Sequence, residues 1–216
     1  LLAQIASLTG KTDLKGFLIM LASGNLDEAQ LGYLTKYDCS SGDINPIGSL
    51  SKIKLKVILN YFKNELVYSS LEALLKLTPS AELRPLDNKN PSNNQTDEAD
   101  LGFTYEEINT LNDLRQNKRC GPYSMFKFLR SLWKEREDSE IRDKVKKYFF
   151  KYSINRHKVT VLTPSVYLNS NCNDDNRYDL RPFLYNPDWS YQFEEIDTLI
   201  CKVPSKKMIE NVNNLS

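Results

Sequence analysis

Histidine is almost missing from this sequence: His157 stands alone among 216 residues. That excludes a metal site built from several imidazoles, and without a Gly-x-Ser-x-Gly context a nucleophilic triad has little support. Cysteine is sparse too. Cys39, Cys120, Cys172 and Cys201 are scattered, with no Cys-x-x-Cys pair. That pattern argues against zinc and for a reduced, cytoplasmic protein, and no signal-peptide pattern contradicts it. No apolar run approaches the roughly 20 residues of a helical membrane span. An excess of charge of one sign is also absent: 29 basic against 28 acidic residues leave a net charge of +1. Nothing global therefore points to nucleic acid or a membrane surface, and only a local patch would.

With 40% hydrophobic and 26% charged residues, the chain has the composition of an ordinary globular protein with one good core. Its first residues, Leu-Leu-Ala-Gln-Ile-Ala, read as the middle of a helix closing near residue 13, and the chain reads as a piece of something longer. Residues 16–22 (GFLIMLA) are apolar without alternation, the pattern of a buried parallel strand. A polar turn and a helix follow, which makes half of a βαβ unit. Ligands of open α/β sheets sit just past the carboxyl ends of such strands. The stretch 23–52 is thus the organising feature of the sequence.

Helical periodicity resumes after Ser51 through Ile53, Val57, Ile58, Tyr61 and Phe62, and again from about residue 70 to 77, where Thr78-Pro79-Ser80 breaks it. Segment 84–95 is polar with two prolines and reads as a loop or lid. Thr104 with Glu107 forms a capping box for a helix from Tyr105 to about Gln116. Ser124 is expected to cap a helix carrying Phe126, Leu129, Leu132 and Trp133. A long helix from about 140 to 152 should bury Val145, Tyr148, Phe149 and Tyr152. Beyond Asn155 the aromatic, proline-punctuated chain reads as an irregular tail.

Several polar residues carry two readings. Glu28 is either a carboxylate at a helix amino terminus or a magnesium ligand beside phosphate oxygens. Lys36 and Lys52 are either solvated or bind phosphates as point charges. Asp43 is a turn former or a ribose acceptor. Ser80 is a turn residue or a phosphate or adenine contact. The run Asp97, Glu98, Asp100 reads first as a solvated acidic stretch and second as a metal cluster. His157, with Arg156 and Lys158, either compensates a helix dipole or clamps an anion. The basic, aromatic series Arg142, Lys144, Lys146, Lys147, Tyr148 and Lys151 supports a rival reading, a non-catalytic nucleotide- or RNA-binding module. Acids interleave with it.

Six strings, taken in order, resemble one family: GNLDEAQLGYLTKYDCSSGDINPIGSLSK at 24–52, TPSAEL at 78–83, QTDEADLGFTYEEI at 95–108, GPYSMF at 121–126, KVKKYFFKYSINRHKVTVLTP at 144–164 and DNRYDLRPFLYN at 175–186. The family is the glutamine-dependent NAD⁺ synthetases of the eukaryotic type. The resemblance implies an α/β fold with a Rossmann-like, adenine nucleotide alpha-hydrolase type parallel sheet, its amino-terminal strands missing here, and a helical carboxyl-terminal part. Residues 1–216 would be the carboxyl-terminal part of the synthetase (ATP-dependent amidating ligase) domain. It implies a ligase of NAD biosynthesis. ATP adenylates nicotinate adenine dinucleotide, and ammonia from a glutaminase domain displaces AMP, giving NAD⁺, AMP and pyrophosphate. Carried over by position, Glu28 binds Mg²⁺; Ser23, Lys52 and Ser80 contact ATP; Lys36, Asp43, His157 and Lys158 hold the dinucleotide. No residue is implied as a proton-transfer catalyst, and a homo-oligomer through the synthetase domain is implied. Ser23 and Ser80 stand where many relatives have threonine. The family's pyrophosphate loop (Ser-Gly-Gly-x-Asp-Ser), its upstream arginine and its amidase domain have no counterpart in these residues, so the chain alone is expected to be inactive.

Overall fold

The computed structural model describes residues 19–37, 40–66, 68–79, 96–173 and 185–202. The expectations for residues 1–18 and for the 84–95 segment, and the contact assigned to Ser80, fall outside these. Eight helices are described: α1 (Leu26–Leu31), α2 (Lys52–Glu65), α3 (Leu71–Lys76), α4 (Asp97–Leu101), α5 (Tyr105–Gln116), α6 (Pro122–Leu132), α7 (Asp138–Asn155) and α8 (Ser190–Lys202). A 3₁₀ turn, Arg156–Val161, extends α7.

The core is helical. On α5 it takes Ile108, Leu111 and Leu114; on α6, Met125, Phe126 and Leu129; on α7, Ile141, Val145, Tyr148, Phe149 and Tyr152. These positions repeat at three and four, so each helix turns one stripe inward. Each buried aliphatic or aromatic side chain contributes about 1.5–3 kcal/mol. The Thr104–Glu107 capping box forms as the sequence indicates, and α5 runs over the expected residues.

Three expectations need correcting. Helix α6 starts two residues before Ser124: Gly121 is its N-cap and Pro122 fills the first turn, where a missing N–H costs nothing. The Ser124 hydroxyl instead donates to the Gly121 carbonyl at 3.1 Å. The chain beyond Asn155 is not an irregular tail, because α8 packs on α6 and α7 and buries Ile196 completely. Trp189 leads into it, 5.1 Å from Phe149 edge to face, its indole N–H donating to Ser153 Oγ at 2.7 Å. Third, α2 is amphipathic in sequence yet buries no residue; Val57 and Tyr61 are 64% and 58% exposed.

Among the described residues, β pairing is confined to a narrow strip with two isolated parallel bridges, Leu21–Ile44 and Asn45–Ser165. Ala22 N–H donates to Ile44 O at 2.9 Å, and Asn45 N–H to Pro164 O at 2.8 Å. The parallel direction agrees with a βαβ unit. The expected burial does not: Ile19 and Leu21 are 55% and 64% exposed, since no further strand flanks them among the described residues. The polar turn 23–25 leaves the carboxyl end of this strip and enters α1.

Candidate functional site

Helix α1 has only six residues, too few to be stable alone, so its ends must be held from outside. At the amino end Asn25 accepts from Asp27 N–H (3.0 Å) and Glu28 N–H (3.1 Å), while Glu28 reaches back to Asn25 N–H (3.1 Å) and Nδ2 (2.6 Å). This reciprocal box is the helix-terminus role of Glu28. At the carboxyl end Gly32 adopts φ 65°, and a Cβ there would lie 2.1 Å from Asn155 Cβ, so only glycine fits. Asn155 Nδ2 donates to Leu31 O (3.0 Å). Lys158 Nζ donates to Gly32 O (2.8 Å) and Leu34 O (2.9 Å).

Asp27 joins α1 to the rest of the molecule. Its Oδ2 accepts from Lys52 N–H (2.8 Å) at the start of α2, and its Oδ1 from Asn112 Nδ2 (3.1 Å) on α5. Asn112 Oδ1 in turn accepts from the Tyr148 hydroxyl (2.9 Å) on α7. Burial pushes the Asp27 carboxyl above its ordinary value in spite of these donors. The local sequence around Asp27 carries no signal of these bonds, since its partners lie 25 and 85 residues away.

The structure brings Glu28 and Lys52 together, with Lys52 Nζ 3.8 Å from Glu28 Oε1 and 5.6 Å from the Tyr105 ring centroid. Burial raises the Glu28 carboxyl, and the charge of Asp97 adds to that, against the donors of Asn25 and the charge of Lys52. Asp97 is therefore a neighbour, and it is not solvated: it is 4% exposed. Its Oδ2 accepts from the Tyr105 hydroxyl at 2.7 Å, while its buried Oδ1 has no hydrogen-bond partner. The acid run thus divides. Glu98 receives Tyr105 N–H at 2.8 Å, and Asp100 receives the Tyr33 hydroxyl at 3.1 Å. Burial, followed by the bond to Asp97, pushes the Tyr105 hydroxyl far above its usual range and keeps it protonated.

A second pair forms past the other end of α1, where Lys36 Nζ lies 3.0 Å from His157 Nδ1. Desolvation first, then the charges of Lys36 and Lys158, lower the His157 pKa and favour the neutral ring. Asp43 stands apart from both pairs, its Oδ2 accepting Met20 N–H (2.8 Å) across the strip. Exposed Ser23 lines a cleft of about 210 Å³ with Gly24, Ser41 and Gly42. The basic face of α7 is largely spent inside the chain. Lys144 pairs with Glu107 (2.9 Å), Lys146 with Asp197 (2.6 Å) and Arg142 with Asp143 (2.8 Å). Lys151 donates to Asp100 O (3.0 Å).

The Glu28 carboxylate offers the oxygen donors that a hard cation such as Mg²⁺ accepts, and in this structure they are met by Asn25 N–H, Asn25 Nδ2 and, at 3.8 Å, Lys52 Nζ. No three His, Cys, Asp or Glu side chains converge on one point among the described residues, so phosphate oxygens or water would have to complete such a site.

The family model for NAD synthase matches residues 11–154. A glutamine-dependent NAD(+) synthetase of Drosophila melanogaster is 52% identical over 183 residues, 84% of this chain and 23% of that protein. Those of Dictyostelium discoideum and Arabidopsis thaliana are 45% and 50% identical, covering 92% and 86% of this chain. The chain spans about a quarter of these curated relatives, 28% and 25% in the last two. Among solved structures, the glutamine-dependent NAD(+) synthetase of Cytophaga hutchinsonii superposes with a TM-score of 0.61 at 19% identity, over 83% of this chain and 26% of that one, a likeness of fold. On this evidence the chain belongs to the NAD synthase family.

Proposed function

We propose that these residues form the carboxyl-terminal part of the synthetase domain of a glutamine-dependent NAD⁺ synthetase. In this reading ATP adenylates the nicotinate carboxylate of nicotinate adenine dinucleotide. Ammonia released from glutamine by a separate glutaminase domain then displaces AMP, leaving NAD⁺, AMP and pyrophosphate. The observation that carries the reading is the placement of two polar pairs at the two ends of α1, Glu28–Lys52 and Lys36–His157, in a chain of the NAD synthase family.

Adenylation moves charge between phosphates and a carboxylate, so it calls for fixed cations more than for a proton shuttle. Glu28 would hold Mg²⁺, which neutralises the triphosphate. Lys52, already drawn to Glu28, supplies a second positive charge on the ATP side, with the hydroxyls of Ser23 and Ser80. Lys36 and Asp43 would bind the dinucleotide, with neutral His157 as a hydrogen-bond partner. Lys158, which donates to Gly32 O and Leu34 O just past α1, would face the dinucleotide beside His157. The strip of extended backbone would be one side of a larger parallel sheet, completed by strands and a pyrophosphate loop outside these 216 residues. A cytoplasmic homo-oligomer assembled through this domain fits the same reading.

The rival RNA-binding module rests on the α7 cations, which already meet acids of their own chain. Two measurements test the proposal. In the full-length protein, Glu28→Gln should abolish ATP–pyrophosphate exchange dependent on nicotinate adenine dinucleotide; unchanged exchange would refute it. The isolated 216-residue chain should give no NAD⁺ from glutamine or ammonia, and turnover would overturn the assignment of the missing loop.

A further inference from the structure

Helix α1 is fastened to α7 and its 3₁₀ extension at both ends, in two different ways. Its carboxyl end is gripped through backbone carbonyls, by Asn155 Nδ2 on Leu31 O and Lys158 Nζ on Gly32 O. Its amino end is reached through three buried side chains in series, Asp27, Asn112 and Tyr148. The Tyr148 hydroxyl donates to Asn112 Oδ1 at 2.9 Å, and Asn112 Nδ2 to Asp27 Oδ1 at 3.1 Å. Lys52 N–H completes the series on Asp27 Oδ2 at 2.8 Å. An ionised carboxylate only accepts, so Asn112 must turn its amide nitrogen to Asp27 and its oxygen to the phenol.

A buried polar series is a poor way to gain stability, because apolar side chains of the same shape do nearly as well. What it supplies is direction. Lys52 N–H is the first donor of α2 and has no acceptor within that helix. Helix α2 buries no residue along its length, so directional bonds must hold its first turn. Asp27 provides one, beside the Ser51 Oγ cap on Lys54 N–H (3.4 Å) and Leu26 N–H on Leu50 O (3.0 Å). Because Glu28 follows Asp27 directly, the same bond sets Lys52 against Glu28, with Nζ 3.8 Å from Oε1.

We propose that Asn112 and Tyr148 are positioning residues for Lys52. Acting through Asp27, they fix the start of α2 and so the line along which the Lys52 ammonium meets the phosphates of ATP. A misplacement of about 1 Å, made far from the chemistry, can cost about a hundredfold, so a remote series of this kind has ample leverage. Tyr148 also lies on the helix whose 3₁₀ extension carries His157 and Lys158, so one helix places both sides of the proposed site. The inference rests on Lys52 being an ATP contact, and the test separates the two.

The readout is ATP affinity of the full-length protein by calorimetry, with nicotinate adenine dinucleotide as the control ligand. Asn112→Ala should weaken ATP binding about fivefold or more, while the dinucleotide stays within about twofold. Tyr148→Phe, which removes one oxygen and keeps the ring, should weaken ATP about threefold. In a Lys52→Met background both changes should lose their effect on ATP. Weakening that persists there reflects general damage to the fold and overturns the proposal. If Lys52→Met weakens ATP binding and neither Asn112→Ala nor Tyr148→Phe does, the positioning role fails. If Lys52→Met itself changes nothing, Lys52 is no ATP contact and the inference falls with that reading. Rescue is a second check. Asn112→Asp sets two acids against each other and should weaken ATP binding. Adding Asp27→Asn exchanges amide and carboxylate, restores all three bonds and should return affinity to within about threefold of the unaltered protein. A folded double variant that shows no recovery refutes the inference, because the charge at Asp27 would then matter and the bonds would not. Should Asn112→Ala lose its circular dichroism, Tyr148→Phe decides in its place.

Discussion

On α7, Arg142, Lys144, Lys146 and Lys151 each find an acceptor within the chain, and beneath them Val145, Tyr148 and Phe149 are fully buried. Around α1 the balance is reversed. Glu28 carries a raised pKa, Asp97 has an orphaned oxygen, and Ile19 and Leu21 stand exposed on the strip that leads into α1. The cations of α7 are met inside the chain, whereas the polar end keeps a buried carboxylate oxygen without a hydrogen-bond partner. In the proposed reading, stability and function are therefore concentrated in different parts of the molecule.

The contrast breaks first, and most severely, in the helical half. Phe149→Ala removes a fully buried ring that meets Tyr148, Tyr152 and Trp189, and should cost about 3–5 kcal/mol in chemical denaturation. A loss under 1 kcal/mol would mean that the core is not where it appears. Next comes Asp27→Ala, which strands Lys52 N–H and Asn112 and should cost about 2–4 kcal/mol. Because Asp27 ties the two regions together, this variant should also lower affinity for ATP.

Acid should separate the regions by a smaller amount. Burial pushes Glu107 up, but hydrogen bonds from Lys144, Thr104 N–H and Arg136 outweigh it, so its pKa in the fold lies below the ordinary glutamate value. The stability this gives is complete above about pH 4.3 and drains away as the pH falls through the lower folded value. Urea titrations across that window should show the loss, and Glu107→Gln should flatten it. A slope that survives in the variant would place the acid sensitivity elsewhere. The smallest effect is expected on α2: Val57→Lys should change stability by less than about 0.5 kcal/mol, because nothing among the described residues covers that face. A larger loss would show that the face is covered in the folded protein.

What was legible in the sequence was local. Thr104 and Glu107 are three residues apart and cap each other, and the α7 stripe follows from period alone. What was not legible depends on distance along the chain. Asp97 sits in an acidic run, and only Tyr105 folding over it shows that it is buried. Lys158 has its acceptors 124 and 126 residues away. Helix α8 did carry a signal: Trp189, Phe193, Ile196 and Ile200 recur at spacings of four, three and four, but the prolines before them suggested loop. Of the candidate pairs, Glu28 with Lys52 and Lys36 with His157 needed the fold, because sequence proposed the residues without their partners.

Six residues of α-helix span about 9 Å and about one and two-thirds turns. Since Glu28 is fastened at one end of α1 and Lys158 grips the other, that segment acts as a rigid gauge block between two charged jaws. Its length sets the bite and its number of turns sets which way each jaw faces. Inserting or deleting one residue would shift the jaws by about 1.5 Å and rotate one against the other by about 100°. A helix this short is thus intolerant of length change even where it tolerates substitution.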